Sequence, residues 1–318
     1  ILVTTKKGKI ARKPTISYSG SVSTKTPTVN SRLLNKEEVL QKIKDIAYKD
    51  AYLGPDYTQL NPDWTFSQSE LRNIHLNGLE DGTDYDWWDA LTSPGHLMNH
   101  ALSLSGGTES TTYYVSGGYT EEEGFVMNDD YQRSSFRINI DTKVTNWLTI
   151  GANTFGSFTD FSGVHPSVST ITNTSPLVKA KDEDGSFIIN HLGDQGVNPF
   201  LNAQADNREL KNRISGVFYA EINVPKIEGL TYRMNFSNNL NWFSTSTSNE
   251  YSAGLTGAAS KAHASQLDVM LDNILTFDRQ LGDHRIKATL VSGYNKVDYD
   301  RTLARGEDIQ NLSLSYNS

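Results

Sequence analysis

NHALSLSGGTESTTYYVSGGYTEEEGFVMNDDYQRSSFRINIDTKVTNWLTIGANTFGSF, residues 99–158, decides how the rest of the chain is read. It divides into four strand-like segments, joined by a short polar turn (Gly106 to Ser110), a longer acidic excursion (Glu121 to Asp130) and a second short turn (Thr142 to Asn146). Short, long, short is the rhythm of a transmembrane β-barrel, which turns tightly at one rim and extends its loops at the other. Within the third segment Phe136, Ile138 and Ile140 alternate with Arg137, Asn139 and Asp141. Successive side chains of a strand point to opposite faces, so one face here is apolar and the other polar.

Working outward, the same alternation recurs. Thr15 to Thr24 reads as a first strand, with Pro14 at its start, where no ladder bond is lost. After the quoted stretch, strands are expected at Arg213 to Val224, Leu230 to Phe243, Gln266 to Phe277 and His284 to Asn295, about nine in all. Ile214, Phe218 and Ile222, then Leu230, Tyr232, Met234 and Phe236, then Leu267, Val269, Leu271 and Leu275, keep one parity. Arg137, Asp141, Glu221, Arg233, Asp268 and Asp272 keep the other. A charge on a lipid-facing position near the bilayer midplane costs roughly 2–4 kcal/mol for Arg or Lys, so this exclusion is what a lipid environment selects. A soluble sheet also segregates charge; Asn273 falls on the apolar parity, and Val217, Met270 and Val291 fall on the polar one.

Between the strands the period changes. Val39, Leu40, Ile43, Ile46 and Ala47 recur at helical spacing behind an Asn35 cap with Glu37 and Glu38 in the first turn, which predicts a helix over 35–52. Long loops are expected at 53–95, 159–212 and 244–265. The first carries Trp64, Trp87 and Trp88, which marks it as structured rather than solvated.

Composition bounds the function. Of 318 residues only 36% are hydrophobic and the mean hydropathy is -0.50, which suits an architecture whose strands keep one face in water. The formal charge of -8 leaves no basic footprint for phosphates and argues against a nucleic-acid partner. With no cysteine there is neither a disulfide framework nor a thiolate metal site. No apolar run is long enough for a transmembrane helix, whereas a barrel strand needs only about 9–11 alternating residues. The chain opens on strand chemistry at Ile1-Leu2-Val3-Thr4-Thr5 and reads as a piece of a longer protein.

Candidate chemistry is sparse, and no cofactor, metal or catalytic residue is assigned. His96 and His100 have a helical metal spacing but enter a strand without a third ligand. Asp182-Glu183-Asp184-Gly185 lacks the twelfth-position Glu of a calcium loop and reads as a tight turn with Gly185 at positive φ. Glu121, Glu122, Glu123, Asp129 and Asp130 read as a solvated acidic loop rather than as glycosidase carboxylates. Trp64, Trp87 and Trp88 are the candidates for substrate or partner contact, because aromatic faces stack on sugar rings and anchor interfaces, or else they pack the loop. Arg137, Asp141, Glu221 and Arg233 are the candidates to line a lumen.

In order along the chain, several pieces resemble one family. Residues 1–9, ILVTTKKGK, resemble the end of the plug domain of SusC/RagA-type TonB-dependent outer-membrane transporters. Asp86-Trp87-Trp88-Asp89, Asn99-His100, Leu102 to Gly107, Thr112-Tyr113-Tyr114, Gly118-Tyr119 and Glu123-Gly124 resemble its early barrel. So do Arg137-Ile138-Asn139, Trp147 to Gly151, Asn198-Pro199-Phe200, Gly229 to Arg233, and Leu281 to His284 followed by Gly293-Tyr294. The resemblance implies an all-β fold, part of a plugged barrel of about 22 strands, with 1–9 ending the plug and 10–318 forming the N-terminal part of the barrel. It further implies an outer-membrane location in contact with lipid. The implied role is TonB-driven import of glycans, oligosaccharides or peptides with a SusD-like surface lipoprotein as lid, TonB being engaged through segments upstream. Two other readings stay open: a passive or adhesive outer-membrane barrel, and a soluble glycan-binding β-sandwich.

Overall fold

The computed structural model describes residues 8, 13–28, 32–69, 71–189, 198–251, 256–309 and 316. The plug-like segment 1–9 therefore lies outside the described residues except for Gly8. The chain runs β1 (Thr15–Lys25), α1 (Lys36–Ile46), α2 (Tyr48–Ala51), β2 (Tyr52–Leu53), β3 (Gln59–Leu60), α3 (Asn73–Glu80), α4 (Trp87–Leu91), β4 (Gly95–Gly107), β5 (Thr111–Glu123), β6 (Asp130–Lys143) and β7 (Leu148–Asp160). It continues through α5 (Val168–Asn173), α6 (Pro199–Ala203), β8 (Asp206–Asn223), β9 (Leu230–Asn249), β10 (Ala258–Leu281) and β11 (His284–Glu307).

β1 and β4 to β11 form one 9-stranded sheet in sequence order, and β2 with β3 forms a separate 2-stranded hairpin. Every neighbouring pair in the large sheet is antiparallel. Its connections therefore alternate between two rims. One rim holds 108–110, 144–147, 224–229 and 282–283; the other holds 26–94, 124–129, 161–205 and 250–257. No second sheet packs on this one among the described residues, so the sandwich reading is set aside.

The register carries the parity seen in the sequence from strand to strand. The row Ile140, Ala152, Phe218, Phe236, Leu271 and Tyr294 crosses β6 to β11 on one face. Asp141, Gly151, Tyr219, Asn235, Asp272 and Gly293 form the neighbouring row on the other. Asn273, a polar exception on the apolar face as is Asn238, accepts a hydrogen bond from the Tyr232 hydroxyl at 2.6 Å. Along β9 the apolar parity runs from Leu230 to Trp242, about 40 Å of strand, or about 30 Å of height at the tilt of such barrels. That matches a hydrocarbon core of about 30 Å.

Several expectations need correction. The tract 244–265 is not a loop: β9 runs to Asn249 and β10 resumes at Ala258, leaving 250–257. Above Trp242 the apolar parity continues as Ser244, Ser246 and Ser248, so both faces turn polar and the alternation vanishes although the ladder persists. For the same reason β8 begins at Asp206, within the expected loop 159–212, and β11 runs past Asn295 to Glu307. The acidic excursion is also shorter than expected. Glu121 to Glu123 stay in β5, with Glu122 paired to Lys25 and Glu123 to His96 at 2.8 Å, and only 124–129 leave the sheet.

The helix expected over 35–52 is two helices that meet at Ala47. Its start is as expected. Asn35 Oδ1 accepts from the Glu38 N–H at 3.0 Å and Glu38 Oε2 accepts from the Asn35 N–H at 3.1 Å, a reciprocal capping box. Residues 53–95 are not a bare loop but hold the small hairpin, α3 and α4. The excursions pack into a cap with its own core of Trp87, Leu91, Val126, Ile171 and Ala180. Gly78 lets α3 approach this cap closely, since a Cβ there would strike the Leu177 carbonyl oxygen.

Candidate functional site

The polar face of the sheet brings together three of the four residues singled out as lumen candidates. Asp141 (β6), Gly151 (β7) and Tyr219 (β8) are cross-strand neighbours in one row. Gly151 has no side chain to intervene; a Cβ there would meet the Tyr219 ring and lie 2.7 Å from Asp141 Oδ1. The Tyr219 hydroxyl therefore crosses β7 and donates to Asp141. Arg233 (β9) lies over the Tyr219 ring at 4.0 Å, pairs with Glu221 at 3.1 Å and donates to Asn235 Oδ1 at 2.9 Å. Arg137 stands apart from this cluster, its guanidinium 5.5 Å from the Phe155 ring centroid.

A second ladder crosses the same face nearer the long-loop rim. Arg213 Nε donates to Asn239 Oδ1 at 2.6 Å, Asn239 Nδ2 to Asp268 Oδ2 at 3.0 Å and Gln266 Nε2 to Asp268 Oδ1 at 2.9 Å. Tyr219, Gly151, Asn235, Arg213 and Asn239 were not singled out from the sequence. An aromatic residue on the polar parity two strands from an Asp, with Gly between them, is the signal that was available. Such ladders fix long side chains against the wall and leave a polar surface suited to water and hydroxyl-rich solutes.

The three tryptophans separate. Trp87 is 1% exposed: its Nε1 donates to the Ser175 carbonyl at 3.0 Å and its ring lies 4.8 Å from Tyr85 and 6.2 Å from Phe200. It packs the cap, and although it is among the residues that line the neighbouring cleft, almost none of it is exposed there. Trp88 is half-buried against Phe125 at 6.1 Å and borders a cleft of about 430 Å³ with Arg32, Asn35, Asp84, Tyr85 and Pro176. Trp64, also half-buried, meets Phe66 edge-on at 5.1 Å and does not reach that cleft. Burial and the nearby Arg72 hold the His75 imidazole below its ordinary value of 6.5.

Other candidate chemistry does not converge. His96 pairs with Glu123, and His100 Nδ1 shares a 2.8 Å hydrogen bond with the Tyr18 hydroxyl, so the two histidines have separate partners. Among the described residues no three His, Asp or Glu side chains gather as a metal site. In the 182–185 turn Gly185 sits at φ 86°, and hydrogen bonds from Ser186 hold the Asp184 carboxyl below its usual range.

No family model matches the sequence. TonB-dependent receptor P3 of Formosa agariphila is 26% identical over 335 residues, covering 100% of this chain and 30% of that protein. TonB-dependent receptor SusC of Bacteroides thetaiotaomicron is 28% identical over 141 residues, covering 44% of this chain and 12% of its own. Among solved structures, the RagAB peptide transporter superposes with a TM-score of 0.72 at 20% identity, covering 96% of this chain and 37% of that one. The RagAB peptide importer in its open-open state gives 0.70 at 18% identity, with 98% and 38% covered. The chain thus spans about 30% of the length of the receptors that it matches from end to end. The relatives are receptors and transporters rather than enzymes, and the fold of this chain, a nine-stranded antiparallel sheet with its long connections on one rim, is that of part of a RagA-type barrel.

Proposed function

From a chain that is similar along its whole length to TonB-dependent receptors and lies in the outer membrane, we infer a share in the active import of a glycan, oligosaccharide or peptide. Lipid covers the apolar face, and the polar face, with Arg137, Asp141, Glu221 and Arg233, lines the lumen. The observation that carries this reading is the separation of an apolar face from a polar one, which the register carries from β6 to β11 with few exceptions. Residues 1–9 end the plug, and 10–318 are the first part of the barrel wall. β1 and β11 each have a single partner among the described residues, so both present an unpaired ladder to further strands of the parent receptor.

The cap belongs to the outer rim, where it bounds the substrate vestibule and meets a SusD-like surface lipoprotein. Trp64 and Trp88 are the aromatic contacts with substrate or lid, while Trp87 acts indirectly by holding the cap's shape. Import needs no bond chemistry from these residues. Its energy comes from the TonB complex through the plug, and the wall contributes binding and passage.

Uptake by cells that carry the full-length receptor tests the reading. Oligomer uptake should fall to background when TonB is removed, and deletion of 53–95 should abolish uptake or lipoprotein capture while the barrel still inserts. Uptake that survives loss of TonB would make the protein a passive barrel instead.

A further inference from the structure

We infer that a depression on the polar face between β1 and β6 binds an anionic group, a carboxylate or sulfate ester, carried by an oligosaccharide. The inference rests on the proposed reading of this face as the lumen wall, and it names the substrate's chemistry. The depression holds about 310 Å³ and is bordered by Ser19, Ser21, Asn99, Gly118, Arg133 and Ser135. By register, Gly20, His100 and Tyr119 form the row between these positions with their side chains on the other face, and they give the floor only backbone. Gly118 keeps the floor open, since a Cβ there would crowd Ser135 Oγ at 3.1 Å.

What distinguishes this patch from the rest of the wall is its surplus of donors. Arg213 and Arg233 are engaged by Asn239 and Glu221, and Lys25 by Glu122, which shares the face near the depression. Arg133 is exposed and has no hydrogen-bond or carboxylate partner among the described residues. Arg137, on the same strand and face, has only the Phe155 ring among the described residues. Thr120 Oγ1 donates to Asn99 Oδ1 at 2.9 Å, which leaves the Asn99 amide N–H groups to donate outward. Ser19, Ser21 and Ser135 add hydroxyls.

A guanidinium flanked by rotatable hydroxyls and an amide matches a planar or tetrahedral oxyanion. Ala101 is the one apolar side chain that faces the depression. The lining of the depression therefore offers little to an apolar amino-acid side chain and suits the hydroxyls of a sugar ring. The site is on the half of the wall toward the long loops, where an entering oligomer arrives first.

The test uses the full-length receptor in detergent and size-matched ligands: an oligogalacturonate, a sulfated galactose oligomer, a neutral galactose oligomer and an oligoglutamate. Calorimetry should give tighter binding for one or both acidic sugars than for the neutral one, weakening as salt rises. Arg133→Gln should lower acidic-sugar affinity roughly tenfold or more without changing neutral binding; Arg133→Lys should recover part of it, and Arg208→Gln, on the apolar parity, should do nothing. Uronate and sulfate arms identify the group. Gly118→Val, which fills the floor, should repeat the loss without touching charge. Equal affinity for neutral and acidic sugars, or an Arg133→Gln variant that binds like the parent, would overturn the site. Preference for oligoglutamate over both acidic sugars would overturn the sugar assignment. TonB-dependent uptake with no charge preference sinks this inference alone, whereas TonB-independent uptake sinks the importer reading.

Discussion

Sheet and cap bury their apolar residues in opposite ways. In the cap Trp87 is 1% exposed and surrounded by Leu91, Val126 and Ile171, a core formed by withdrawing side chains from water. In the sheet Phe236 stands 39% exposed in the middle of an apolar row, and its neighbours Phe218 and Leu271 extend that row without covering it. One region is a small soluble fold held by hydrophobic burial. The other is a wall held by its hydrogen-bond ladder, and lipid must complete its apolar side. The same residue types therefore carry different energetic roles according to which side of Trp242 they stand on.

The sharpest way to break this contrast is to remove the cap's core. Trp87→Ala in the full-length receptor should destabilise the cap by about 3–5 kcal/mol, the usual cost of emptying a large aromatic site. It also leaves the Ser175 carbonyl without its donor. Limited proteolysis should then cut within 26–94 and 161–205 while the heat-modifiable migration of the barrel is unchanged. Loss of barrel migration as well would mean that the two regions share one cooperative unit.

A pair of substitutions on adjacent residues tests the sheet. Leu271 shares its row with Phe236 and Tyr294 on the apolar face, whereas Met270 faces the opposite side beside Ser237 and Asn295. Leu271→Arg should cost roughly 2–4 kcal/mol of stability in bilayers; Met270→Arg should change it by less than about 0.5 kcal/mol, as for an ordinary surface site. Urea titration of the receptor refolded in vesicles measures both. Equal costs would remove the assignment of the two faces.

This asymmetry also explains what the residues revealed and what they hid. Where lipid dictates one face, as in Phe136, Ile138 and Ile140, alternation gives strand, register and face at once. Where the strands leave the lipid, at Ser244, Ser246 and Ser248, nothing in the side chains has to alternate, and a continuing ladder is indistinguishable from a Ser-rich loop. Asn35 with Glu37 and Glu38 marked the helix start because an N-cap and first-turn acids are local chemistry. The burial of Trp87 was hidden because its partners Phe200 and Ser175 are distant in sequence. The Tyr219 to Asp141 bond was hidden for a related reason: it depends on which residue Gly151 lies between, and only the pairing of three strands settles that.

The smallest expected effect separates cap from sheet by pH. His75 on α3 is 8% exposed, and its Nδ1 accepts from the Arg72 backbone N–H at 3.3 Å, so the fold holds it as the neutral imidazole. Burial first, then the Arg72 charge, depresses its folded pKa below 6.5. The unfolded cap then binds more protons than the folded one, and cap stability rises with pH through that interval. The contribution is complete above about 6.5 and is lost as pH falls through the depressed folded value. Proteolytic clipping of 26–94 should thus accelerate between pH 7.5 and 5, and His75→Gln should flatten the profile. Clipping that stays level with pH in the parent receptor would show that His75 protonates without opening the cap. The sheet gives no such signal in this assay, because its stability is read by barrel migration rather than by clipping of the cap.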